Sequence, residues 1–172
     1  MSNKVKSLVL KGLLIAIVCI STMIIQIPMP MTDGYINIGD SIIFIASILF
    51  GPIIGMICGG LGSALADILT GYSHWALFTL IIKGLEGYIV GIIVRKNTNL
   101  LKNILATLIG VIIMISGYLI AGTFLQGSFI VSLKSIPPNL IQGIVCILIS
   151  IPISSYLLNI KSIKSLIQII NH

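Results

Sequence analysis

Residues 75–94 read WALFTLIIKGLEGYIVGIIV, and in this run only Lys83 and Glu86 carry charge. As a helix rising 1.5 Å per residue it measures about 30 Å, the thickness of a bilayer's hydrocarbon core. A polar loop at 70–74 precedes it, and Arg95, Lys96 and Asn97 close it. Ionisable groups inside such a span are costly unless they face protein or a watery cavity. The stretch therefore predicts a membrane helix in a bundle with a polar interior.

Working outward, similar apolar runs appear on both sides. Residues 53–69 are rich in small side chains (Gly55, Gly59, Gly60, Gly62, Ser63, Ala64, Ala66), a composition that lets helices approach closely in lipid. Before them, a run at 36–50 ends at the Gly51-Pro52 turn; it is short enough to span incompletely or to be flanked by protein. The first run, 8–27, is closed by Pro28 and Pro30, followed by a polar loop at 32–40. Beyond Arg95 come runs at 104–125 and 136–158, the latter with Pro137 and Pro138 in its first turn and a link at 126–135 before it. The fold class predicted is all-α, one membrane domain of six transmembrane helices spanning residues 1–172.

Composition agrees. Of 172 residues 57% are hydrophobic and 8% charged, against about 25% charged in soluble domains. The net charge of +6 resides in short basic runs beside apolar segments, which is a topology signal and not a nucleic-acid footprint. With the N-terminus cytoplasmic, that side collects Lys4, Lys6, Lys11, Arg95, Lys96, Lys102, Lys161 and Lys164, and the outside keeps Lys134. Both termini are then expected in the cytoplasm of a multi-pass protein of the cell membrane. Lys4, Lys6 and Lys11 before an apolar run imitate a secretory signal, but the run is long and no small-x-small cleavage site follows, so it reads as a retained helix. Cys19, Cys58 and Cys146 are scattered through apolar segments without metal-type spacing and read as buried, inert thiols.

This topology gathers the uncommon polar residues at one depth. Asn37 and Asp40 fall in the first outer loop, Asp67 near the outer end of the third run, and His74 and Trp75 at the start of the fourth. Tyr118, Asn139 and Gln142 occupy the outer parts of the fifth and sixth runs. Lys83 and Glu86, at i, i+3, either neutralise each other on one helical face or contact a substrate. Asp67 either fixes a helix end or meets a ligand. Trp75 serves as an interface anchor or a stacking platform, while a lone His74 without further His, Cys or clustered acids does not indicate a metal. Asn139 and Gln142 share a face, as pocket lining or interhelical hydrogen bonding. Gly12 and Ala16 form a small-xxx-small patch on the first run.

No GxxxxGK[ST] phosphate loop is present, nor a GxSxG or HExxH motif, which argues against ATP hydrolysis by this chain and against an intramembrane hydrolase. No internal repeat supports an inverted-repeat transporter. Two other classes stand beside a binding protein. One is a self-sufficient ion-coupled transporter or channel with Lys83, Glu86 and Asp67 as a charge relay; the other is a ligand-free membrane assembly subunit. A relay would continue to the cytoplasmic face, where such groups are lacking.

The strings GLLIA (12–16), GYINIGD (34–40), FGP (50–52), GSALAD (62–67) with Gly71 and Tyr72, KGLEG (83–87), and IPPN (136–139) with Gln142 and Gly143 resemble the S components of energy-coupling factor (ECF) transporters along nearly the whole chain. The resemblance implies a six-helix, non-enzymatic subunit that binds one vitamin in an outward-facing pocket, with no cofactor of its own. It also implies a membrane coupling subunit and two ATPases as partners. Family members carry an Ala-xxx-Ala motif on helix one that contacts the coupling subunit; here Gly12 replaces the first alanine and Ala16 keeps the second. The branch includes proteins assigned to riboflavin, the thiamin pyrimidine precursor and vitamin B6 compounds. A single Trp and few aromatics favour a small heteroaromatic ring, a pyrimidine or pyridine, over a flavin.

Overall fold

A computed structural model of the chain describes residues 3–29, 33–95 and 98–171. Pro30, Thr32, Lys96 and Asn97 lie outside the described residues. Five long apolar helices form the bundle: α1 (Asn3–Ile24), α3 (Pro52–Leu69), α4 (Ser73–Val94), α5 (Leu100–Gln126) and α7 (Ile136–Leu157). Their 18 to 27 residues give about 27–40 Å each, enough to cross a membrane. The sixth apolar helix, α2 (Gly39–Phe50), is short. All of its residues except Ile42 are buried, so protein and not lipid surrounds it.

Several boundaries differ from the expected ones, each for a local reason. The first helix stops at Ile24 and not at residue 27, because Ile27-Pro28-Met29 forms strand β1 against β2 (Gly34–Ile36), with Ile27 opposite Ile36. The residue before a proline is driven to extended backbone, and Pro28 is tolerated in such an edge ribbon. The same pairing removes Ile36 from α2, which starts at Gly39 and not at 36. Helix α4 starts at Ser73 rather than 75, and α7 ends at Leu157 rather than 158. Helix α5 begins at Leu100 and not at 104, because the Asn99 side chain caps it by accepting from the Lys102 amide at 2.8 Å. The link at 126–135 contains a one-turn helix, α6 (Phe129–Leu133). After the last span comes an unexpected α8 (Lys161–Asn171), with Ile163, Leu166 and Ile167 packed on the α1–α2 core and Lys161 and Lys164 exposed.

Glycines set the tightest seam, between α3 and α4. A Cβ on Gly59 would lie 2.7 Å from the Lys83 carbonyl oxygen, and one on Gly91 would lie 2.5 Å from the Pro52 backbone. Gly87 abuts the Gly55 carbonyl even more closely. Such backbone-to-backbone contact is the main source of helix association in lipid, where no hydrophobic drive exists. Gly51, at φ +86°, makes the reversal between α2 and α3 that a Cβ would strain.

The bundle is apolar outside and polar within. Leu8, Leu77, Ile81, Ile112 and Leu148 are exposed, as suits side chains facing lipid, whereas Asp40, Asp67, Lys83 and Glu86 are buried. Three of the chain's four acidic residues are thus interior, which requires partners for each. The half of the bundle away from the hairpin, expected to be almost purely apolar, contains buried Ser47, Asn103, Thr107, Ser150 and Ser154. Four of those five hydroxyl or amide residues are hydroxyls that donate to carbonyls of their own helices, such as Ser47 to Ile43 at 2.7 Å.

Candidate functional site

The β1–β2 hairpin lies across the end of the bundle where α2, α4 and α7 begin and α1, α3 and α5 finish. Three hydrogen bonds hold it there. Tyr35 donates its phenol to Asp67 Oδ1 at 2.5 Å, Trp75 Nε1 donates to the Asp33 carbonyl at 2.8 Å, and the Asn37 amide donates to Gln142 Oε1 at 2.8 Å. Burial and the adjacent Asp67 carboxylate push the Tyr35 phenol's pKa up, so it stays a donor. Asp33 takes φ 48°, a conformation open to aspartate at little cost.

Beneath the hairpin is a partly open cavity lined by side chains of α1, α3, α4, α5 and α7. Seven of the residues singled out from sequence line it: Asn37, Asp67, Trp75, Lys83, Tyr118, Asn139 and Gln142. Trp75 and Tyr118 form an aromatic wall, ring centroids 5.9 Å apart and edge to face. Tyr118 donates to Thr79 Oγ1 at 3.2 Å. Asn139 is buried and makes no side-chain hydrogen bond to the described residues, so its amide is available to the cavity. Gln142, in contrast, is committed to the scaffold: besides receiving the Asn37 amide, its Nε2 donates to Asp40 Oδ2 at 2.7 Å.

The remaining three candidates lie elsewhere. Asp40 is not in a loop; it sits in the first turn of α2, fully buried under the cavity floor. Glu86 lies deeper still, one turn below Lys83. Lys83 forms ion pairs with both, to Asp40 Oδ1 and, at 3.1 Å, to Glu86 Oε2, while its ammonium stands 5.5 Å from the Tyr118 ring centroid. The alternatives left open for Lys83 therefore merge: it pairs with Glu86 and also faces the cavity. His74 is exposed and borders a shallow outer depression with Pro28, Asp33 and Tyr72. One residue of helix turns the side chain by about 100°, so with Trp75 inward His74 cannot be.

Sequence reasoning missed Thr22, Tyr35, Ser63, Thr79, Ser132 and Ser135 in the lining. Tyr and the hydroxyl residues are ordinary in membrane helices and their ends, so only the GYINIGD string gave any signal, for Tyr35. Gly12 and Ala16 are exposed on α1, far from this lining, and a Cβ on Gly12 would meet nothing within 4 Å.

A six-helix membrane bundle with a polar, aromatic-walled cavity under a hairpin has the architecture of a membrane protein that can hold a small molecule. Residues 2–159 match the model of the family described as "ECF-type riboflavin transporter, S component", and the chain belongs to that family. It is a multi-pass membrane protein of vitamin uptake and not an enzyme family. Among relatives, it is 33% identical over 129 residues to the "Thiamine precursor transporter HmpT" of Lactococcus lactis subsp. cremoris, covering 74% of each chain. A Pyrococcus woesei protein described only as lying in a "gap 3'region" is 47% identical over 110 residues, 64% of this chain and 74% of its own. The crystal structure of an S component for biotin from an ECF-type ABC transporter superposes with a TM-score of 0.67 at 23% identity, covering 90% of this chain and 95% of that one; this similarity supports the fold. The family match ends before α8.

Removing the ammonium tests the cluster. Lys83→Met leaves two fully buried carboxylates without a cation, and breaking a buried pair costs about 3–5 kcal/mol. The variant is expected to lose much of its thermal stability in detergent, and Lys83→Met/Asp40→Asn/Glu86→Gln to regain most of it. A single variant as stable as the parent refutes the charge balance.

Proposed function

We propose that the chain is the high-affinity substrate-binding subunit of an ATP-driven ECF importer. It holds a small heteroaromatic vitamin or precursor, of the thiamin-pyrimidine or vitamin B6 type in preference to riboflavin, in the cavity under the hairpin. The cavity faces outward and both termini are cytoplasmic, as the basic residues at the opposite end demand. ATP hydrolysis belongs to two separate ATPases, and a membrane coupling subunit docks on the Gly12/Ala16 face of α1.

The observation that carries this reading is a cavity that ends. Its lining is polar and aromatic down to Lys83, below which Asp40 and Glu86 close the floor and no ionisable residue is buried among those described. A charge relay or channel would need such groups to continue inward. An assembly subunit has no use for a polar cavity at all, given the cost of burying one. The named relative in thiamine-precursor transport supports the small-ring preference, and the exposed, apolar face of α1 around Gly12 supports docking by close packing.

The direct test is mass spectrometry of small molecules that co-purify with the solubilised protein. A heteroaromatic vitamin at about one per chain is expected; its repeated absence from material able to rebind none overturns the reading. Orientation is checked by thiol labelling of intact cells, where Lys134→Cys is expected to react from outside and Lys161→Cys to be protected; the reverse pattern inverts the topology. Docking is tested with Gly12→Leu/Ala16→Leu, for which ligand affinity is expected to hold while uptake, in cells supplying the coupling subunit and ATPases, falls at least about tenfold. Normal uptake removes the docking role.

A further inference from the structure

The cavity wall contains two buried polar atoms without a well-formed hydrogen bond. Asp67 accepts from Tyr35 through Oδ1 and Thr79 stands beside the carboxylate, but Oδ2 makes no hydrogen bond of normal geometry, although the residue is only 3% exposed. Thr22 Oγ1, on α1 across the hairpin, is likewise unpartnered at 2% exposure. Both residues line the cavity. Buried polar atoms in native proteins are nearly always bonded, and an orphaned carboxylate oxygen is among the most costly to leave so. An atom of this kind in a ligand cavity marks where the ligand supplies the donor.

The charge of the wall restricts the ligand further. Asp67 and Lys83 are the charged residues lining the cavity among those described, and the Lys83 ammonium is already shared by Asp40 and Glu86. Lys134 is exposed and does not line the cavity, although its neighbour Ser135 does. Among the described residues no free cation therefore lines the cavity to meet a phosphate or carboxylate. An anion would be buried against Asp67 without compensation, which is strongly unfavourable.

Resting on the proposed function, we infer that Asp67 is the specificity-determining residue of this site and that it selects an uncharged or cationic, unphosphorylated N-heteroaromatic ligand that presents an N–H donor edge. An amino group on the ring fits best, because it offers an N–H donor to the carboxylate, joined by a second in the same plane when the adjacent ring nitrogen is protonated, the geometry of strong charge-assisted pairing. Tyr35 fixes the carboxylate's orientation by holding Oδ1. Asn139, with its free amide, is placed to meet acceptors on the ligand's other side. Phosphorylated vitamins and ligands that reach the site as carboxylates are excluded by the same charge.

Titration calorimetry on the purified, ligand-stripped protein tests this with four probes. They are 4-amino-5-hydroxymethyl-2-methylpyrimidine, its analogue with hydrogen in place of the 4-amino group, its phosphate monoester, and biotin as a carboxylate. The aminopyrimidine is expected to bind at least about tenfold more tightly than the analogue without the amino group, which has no N–H to offer Asp67, with the phosphate ester and biotin weaker still. In Asp67→Asn the gap between these two pyrimidines is expected to close. The probe series on the unaltered protein decides the matter even where that variant fails to fold. Equal binding of the analogue without the amino group or of the phosphate ester, or tight binding of biotin, overturns the assignment of Asp67 while leaving a vitamin-binding subunit in place. So does a co-purifying vitamin without an N–H donor. If no probe binds and nothing co-purifies, the functional reading falls and this inference with it.

Discussion

A lysine ammonium carried into hydrocarbon loses its hydration, and Lys83 can occupy the centre of this bundle only because two carboxylates meet it there. One, Glu86, is its own neighbour a turn along α4; the other, Asp40, comes from α2. The pairing explains why a 12-residue helix lies at the middle of the structure. Helix α2 need not cross the membrane, since its task is to deliver an acid to mid-depth with protein on every side. Gln142 extends the arrangement by tying the far oxygen of Asp40 to α7 and, through its own carbonyl, to the hairpin. Four segments distant in sequence are thus joined at one point, and the cavity is the space left above it.

The glycine seam serves the same end. Lys83 can reach Asp40 only if α4 lies close to α2 and α3, and Gly59 sits against the Lys83 carbonyl itself. A larger residue at that position would push apart the helices that hold the ions. Close packing and charge pairing are therefore not independent contributions here; the first sets the distance on which the second depends.

Much of this was legible in the sequence because lipid is an unforgiving solvent. Apolar runs of about 20 residues have few readings, and Asp67, Lys83 and Glu86 stand out where a charge costs most. Seven of ten candidate positions line one cavity for that reason. What escaped notice is what lipid does not penalise. Asp40 read as a loop residue because it ends the polar stretch 32–40, and only three dimensions show it turned inward. His74 and Trp75 are equally polar at their edges, and the helical phase that separates them could not be known until the start of α4 was. The hairpin was hidden because Ile27-Pro28-Met29 continues an apolar run without a break in hydropathy. Helix α8 was hidden by its lysines, which fit a basic fringe as well as an amphipathic helix.

The cluster that stabilises the bundle also limits what the bundle can do alone. A ligand that enters beneath the hairpin meets a floor made of paired charges and, below it, helices whose hydroxyls are already bonded to their own backbone. Opening that floor would strip Lys83 of its partners in a medium that cannot replace them, at a cost of the order of the protein's whole stability. On the proposed function, a bound molecule has no inward path through this chain at rest. Delivery would then require the cavity to be moved or deformed as a unit, which is the work the proposed ATPase partners would supply. The exposed face of α1 around Gly12 and Ala16, where the proposed coupling subunit would dock, lines no part of the cavity, so on that proposal work applied there need not disturb the ligand.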